Sequence, residues 1–265
     1  MDPSTPLTRR RALGLIGAAG TAILAACSDS SGPTAVMSND TVAATTGTTA
    51  GAATAGAACE TIPEETPGPF PGDGSNGPDI RSIEGVVRRD IRTSIGSASA
   101  TADGTPLTFT LRVLDSSNGC SPYPGAAVYA WHCDRDGNYS MYSPATANEN
   151  YLRGIQEADA DGNITFDSIF PGCYSGRWPH VHFEVFATLA DATGGGAPIA
   201  TSQLAFPADS CAQAYASAGY ETSASNLSRL SLEGDMVFAD GAGLQTATMS
   251  GDVAAGFTAA LGVTV

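Results

Sequence analysis

From about residue 82 to the C-terminus, short hydrophobic runs alternate with clusters of turn-forming residues. The run LTFTLRVLD (107–115) alternates apolar and polar positions with period two, as a strand with one buried face does. AAVYAWHC (126–133) is a more continuous apolar run, the pattern of a strand covered on both faces. GNITFDSIF (162–170), HVHFEVFATL (180–189) and IATSQLAF (199–206) follow, and LQTATMS and GFTAALGVTV close the chain. Between them stand SSNG, DRDGN, ADADGN and TGGG, whose Gly, Asn and Asp residues favour turns. Only DSCAQAYASAG (209–219) reads as a short helix. This spacing predicts an all-β fold: an antiparallel β-sandwich with long irregular loops and little helix. Internal similarity is confined to the two DGN turns. The second, DADG (159–162), has Ser168 where a calcium loop closes with glutamate, so a hairpin turn is expected there.

The N-terminus reads differently. LTRRRALGLIGAAGTAILAAC pairs Arg9 and Arg10 with a short Ala/Gly-rich apolar stretch, the form of a twin-arginine export signal over residues 1–26. The LAAC ending resembles a bacterial lipobox, which makes Cys27 the expected lipid-bearing residue. Residues 27–58 are Ser/Thr/Gly/Ala-rich and hold too few large apolar side chains to offset the entropy of ordering, so they read as a flexible tether. Residues 59–265 form the expected folded domain, exported and held at the cell surface or in the periplasm. The net charge is −15 and there is no lysine, which excludes nucleic acid as a partner and leaves a lipid on Cys27 as the sole membrane contact. Cys59, Cys120, Cys133, Cys173 and Cys211 contain no CxxC pair, so disulfides with one thiol left over are expected.

Two of the chain's three histidines, His180 and His182, stand one residue apart in PGCYSGRWPHVHFEVF. On a strand they share a face, while Val181 points to the core. Such a pair serves either as two metal ligands or as two ordinary surface histidines. The surroundings bear on this: Tyr174 lies six residues upstream, Arg177 three, and Tyr139 and Tyr142 follow a DG turn. Phenolate with imidazole favours a hard, highly charged ion, chiefly Fe(III). His132, Trp131 and Phe183 read as core residues, and Tyr142 and Tyr151 are rivals to Tyr139.

AVYAWHCDRDGNYS, YLRGIQEADADGNITFDSIFPGCYSGRWPHVHFEV and TSQLAFP together resemble the intradiol ring-cleavage dioxygenases, non-haem iron enzymes that open catechols between the two hydroxyls. The resemblance runs from about Cys59 to the C-terminus and includes VVRRDIR (86–92). It implies Tyr139, Tyr174, His180 and His182 as ligands of Fe(3+), with Arg177 and Gln203 as catalytic residues. It also implies a catechol-type substrate, dioxygen as co-substrate and a cis,cis-muconate-type diacid as product. The short Tyr174-to-His180 spacing is like that of compact exported relatives and implies an open cleft for bulkier catechols. The competing classes are a surface-tethered β-sandwich module that binds polyphenol or carbohydrate without catalysis, and a metal-sequestering lipoprotein.

Overall fold

The computed structural model describes residues 59–265, so the expected export signal, the tether and Cys27 lie outside the described residues. The strands are β1 (Pro106–Asp115), β2 (Ser121–Pro122), β3 (Ala127–Trp131), β4 (Arg153–Glu157), β5 (Asn163–Ile169), β6 (His180–Phe186), β7 (Ala200–Ala205), β8 (Thr248–Asp252) and β9 (Gly256–Thr264). Three short helices interrupt them: α1 (Leu189–Thr193), α2 (Ala208–Ala214) and α3 (Glu221–Leu227). One sheet runs β2-β1-β9-β8, with β5 also paired to β1, and the other runs β4-β3-β6-β7.

The period-two pattern of β1 does what it predicts. Leu107, Phe109, Leu111 and Val113 are buried and the residues between them are not. Phe109 stacks on Phe166 of β5 with ring centroids 5.1 Å apart. Val128 and Ala130 of β3 and Val181, Phe183 and Val185 of β6 complete the inter-sheet core. Each large apolar side chain buried there contributes about 1.5–3 kcal/mol.

The second sheet is buried on its other face as well, by the irregular stretch 59–81. The Tyr129 hydroxyl donates to the Pro71 carbonyl at 2.6 Å, and the fully buried Arg153 guanidinium donates to the Pro71 and Phe70 carbonyls at 2.8 and 3.0 Å. The Cys59–Cys120 disulfide ties the start of this stretch to the turn before β2. A cover of this kind explains why every residue of β6 is buried although its sequence alternates polar and apolar.

Three expectations need correction, and one strand was not foreseen. The sandwich is not wholly antiparallel, because β1 and β9, from opposite ends of the described chain, pair in parallel. Residues 159–162 form the expected turn but no hairpin, since β4 before it and β5 after it belong to different sheets. RGIQE forms β4 despite residues of low strand propensity, because β3 offers it a ladder. Among the described residues the cysteines form one disulfide, and Cys133, Cys173 and Cys211 are buried free thiols rather than a second bridge and one odd thiol. Among the described residues no helix is long and apolar enough to cross a membrane.

Candidate metal centre

The site lies on the covered outer face of the second sheet. His180 and His182 project from β6 on that face, and cross-strand pairing sets Trp131 and Gln203 on either side of His182. The Trp131 indole lies 3° from parallel to the His182 ring at 5.0 Å, so the imidazole is held flat. His180 is fixed through its other nitrogen. Its Nδ1 pairs with the Trp178 carbonyl at 2.5 Å, and a carbonyl only accepts, so Nδ1 carries the proton and Nε2 presents a lone pair.

Tyr139 arrives by way of the first DGN turn. The Asp134 carboxylate accepts from the backbone N–H groups of Asp136 and Asn138 at 3.0 and 2.8 Å, closing a loop that delivers Tyr139 immediately afterwards. Ser143 and Thr146 then bond the Tyr139 backbone at 2.9 and 3.0 Å. Tyr174 arrives on the Pro-Gly turn between β5 and β6. That turn is pinned by α3, through Ser223 Oγ on the Cys173 N–H at 2.9 Å and Asn226 Nδ2 on the Cys173 carbonyl at 2.7 Å. Gly137, at φ +86°, lets the two turns touch; a Cβ there would sit 3.0 Å from the Tyr174 Cβ.

These four side chains converge. The hydroxyls of Tyr139 and Tyr174 lie 3.4 Å apart and each lies 3.3 Å from His180 Nε2, which lies 3.0 Å from His182 Nε2. Neighbouring donor atoms around an ion that binds each at about 2 Å have this spacing. Burial, then Arg177, pushes the His180 pKa down to about 3; burial, then His180, pushes His182 well down, so both rings are neutral and each could offer a lone pair to a cation. Burial raises both phenols, Tyr174 to about 12, so their ionisation needs a cation beside them. Among the described residues no three His, Cys, Asp or Glu side chains are placed to hold a metal. The four converging donors are a mixed phenol–imidazole set, a kind that could hold a hard cation.

The rival tyrosines are elsewhere. The Tyr142 hydroxyl bonds Asn76 and the Gly72 N–H at 2.7 and 2.8 Å, and the Tyr151 hydroxyl bonds Asp134 at 3.2 Å. His132 is a core residue, bonded to Ser168 and the Cys133 carbonyl at 2.7 Å each. Arg177 and Gln203 are brought together: Arg177 Nη2 donates to Gln203 Oε1 at 2.6 Å, and Gln203 Nε2 donates to the Thr66 carbonyl at 2.9 Å.

The family model described as Dioxygenase (Dioxygenase_C) matches residues 89–214, which include all six of these residues. A chlorocatechol 1,2-dioxygenase of Rhodococcus opacus is 34% identical over a stretch covering 32% of this chain and 39% of that protein. An intradiol ring-cleavage dioxygenase from Tetranychus urticae has a similar solved structure, with a TM-score of 0.59 at 25% identity, covering 78% of this chain and 94% of that one. All three comparisons point to the intradiol ring-cleavage dioxygenase family.

Some of this site carried no sequence signal. Gly68, at φ +71°, brings the 59–81 cover against His182, and a Cβ there would meet its ring at 3.2 Å. Phe70 lies 5.1 Å from the rings of both Tyr139 and Tyr142. Asp235 reaches Arg177 from 58 residues away in sequence. A Pro/Gly-rich lead-in and one acid among many look like ordinary loop residues. Only the fold brings them to the centre.

Proposed function

We propose that this chain cleaves a catechol-type diol between its two hydroxylated carbons, using dioxygen and a single ferric ion held by Tyr139, Tyr174, His180 and His182. The convergence of those four donor atoms within 3.0–3.4 Å of their neighbours carries this reading. The likeness to intradiol ring-cleavage dioxygenases supports the reaction class. A bound ferric ion supplies the Lewis acidity that draws electron density from a chelated catechol and opens its ring to dioxygen.

The chain's own residues do the rest. The neutral imidazoles bind without adding charge, and the two phenolates balance most of the ion's charge. Of the four donors Tyr174 alone is partly exposed, so it is the one best placed to swing aside and accept a catechol proton at its hydroxyl oxygen. Arg177, clamped by Gln203, presents a permanent cation toward negative charge that develops on the ring. The 59–81 cover shields the back of His182 from water. Catechol plus dioxygen balances to a cis,cis-muconate-type diacid with both oxygen atoms retained and no external reductant.

The test is a visible spectrum of the iron-loaded chain, before and after anaerobic catechol. A tyrosinate-to-iron charge-transfer band that moves on catechol addition, followed by oxygen uptake and diacid formation in air, is the expected result. A colourless iron-loaded protein would refute it. We further propose that the protein is exported and held by a lipid on Cys27, in which case Cys27→Ser abolishes labelling by a fatty acid.

A further inference from the structure

We propose that Asp235 is the positioning residue for Arg177, fixing the direction in which its guanidinium meets the substrate. This assignment rests on the dioxygenase reading above and goes beyond it, because Asp235 lies outside the stretch 89–214 that the family model matches.

The geometry is that of a built anchor. Asp235 is buried, and its carboxylate accepts from Arg177 Nε at 3.0 and 3.3 Å. The same carboxylate accepts from the backbone N–H groups of Trp178 and Val237 at 2.6 and 2.8 Å. It is therefore held by its own loop on one side, while on the other it holds two consecutive residues of the site. Arg177 is bound along its Nε edge by Asp235 and at Nη2 by Gln203. Its Nη1 has no hydrogen-bond partner among the described residues. A planar fork fixed at two of its three nitrogens points the third in one direction.

The second contact is to a neutral backbone N–H, from which an amide oxygen at the same position can still accept. Trp178, whose N–H is bonded to Asp235, offers the carbonyl that sets the tautomer of His180. One carboxylate thus registers the cation and a donor histidine against each other. Without it, Arg177 follows Gly176 on an exposed turn and would be free to swing into solvent.

The experiment compares iron-loaded full-length wild type, Asp235→Asn, Arg177→Ala and the double variant by oxygen uptake and by anaerobic catechol binding. Asp235→Asn is expected to lower kcat about 10- to 100-fold, the usual effect of losing an orienting partner. Catechol affinity and iron content are expected to stay near wild type. On the Arg177→Ala background the same change is expected to cost no more than about twofold, because its effect passes through Arg177. Unchanged kcat, or an equal loss on both backgrounds, would overturn the proposal. Should Asp235→Asn fail to fold, Asp235→Glu decides. It keeps the charge but shifts the carboxylate by one methylene, so a lowered kcat at wild-type iron content supports positioning and an unchanged kcat overturns it. A separate readout needs no catalysis: the Arg177 Nε–H signal of the iron-free protein should exchange slowly in wild type and fast in Asp235→Asn. If that signal behaves so while iron-loaded wild type leaves catechol untouched, the function fails and the anchor stands. If the signal does not change, the anchor fails.

Discussion

The Trp131 indole and the His182 imidazole lie face to face, 3° from parallel, across neighbouring strands. Trp131 is fully buried and its indole N–H has no partner among the described residues, so its role is packing and not hydrogen bonding. Trp131→Ala should destabilise the fold by about 3–5 kcal/mol. Trp131→Phe, which keeps a ring against His182 and removes an unsatisfied donor, should cost less than about 1.5 kcal/mol. Urea unfolding midpoints of the two variants check the order.

Among the tyrosines, only Tyr139 and Tyr174 reach the histidines. Tyr139→Phe should abolish stoichiometric iron binding and the visible band. Tyr142→Phe should keep both, because its hydroxyl is bonded to Gly72 and Asn76 instead. Metal analysis beside the visible spectrum checks this, and colour lost equally in both variants would contradict the assignment.

Acid should weaken the anchor of Arg177. Burial raises the Asp235 carboxyl, but the N–H groups of Trp178 and Val237 and the Arg177 guanidinium outweigh it and leave its pKa below the ordinary value. A carboxyl lowered on folding stabilises the protein above its unfolded pKa, about 3.9, and loses that contribution as pH falls through the folded value. Wild type should therefore exceed Asp235→Asn by about 3 kcal/mol at pH 6, with the gap closing below about pH 4. Denaturant titrations across that range check it.

The cysteines divide sharply. Reducing Cys59–Cys120, which closes a separation of 61 residues, should cost about 2–4 kcal/mol and expose the 59–81 cover to protease. Cys133, Cys173 and Cys211 are buried with raised pKa values, burial being the main cause. Their peptides should resist alkylation in the native protein and react fully once it is unfolded, as mass spectrometry would show.

The pentapeptide D-x-D-G-N occurs twice, and it separates what the sequence determines from what the tertiary structure decides. At 134–138 and at 159–163 the first aspartate accepts from the backbone N–H groups two and four residues on, at 2.8–3.0 Å. Five residues suffice for that, since the bonds are local and the glycine has positive φ in both. In the same way period-two alternation was enough to place His180 and His182 on one face and Val181 on the other, and to locate most strands within a few residues. What the sequence does not contain is where each turn ends up. The second turn links two sheets at the surface, whereas the first packs under Tyr174 and delivers Tyr139 to the histidines. The cover over β6, the parallel pairing of β1 with β9, the placing of the Tyr139 hydroxyl beside His180 while those of Tyr142 and Tyr151 bond elsewhere, and the reach of Asp235 to Arg177 were likewise decided by tertiary structure. Each depends on contacts between residues distant in the chain, and such contacts leave no periodic trace in either partner's own sequence.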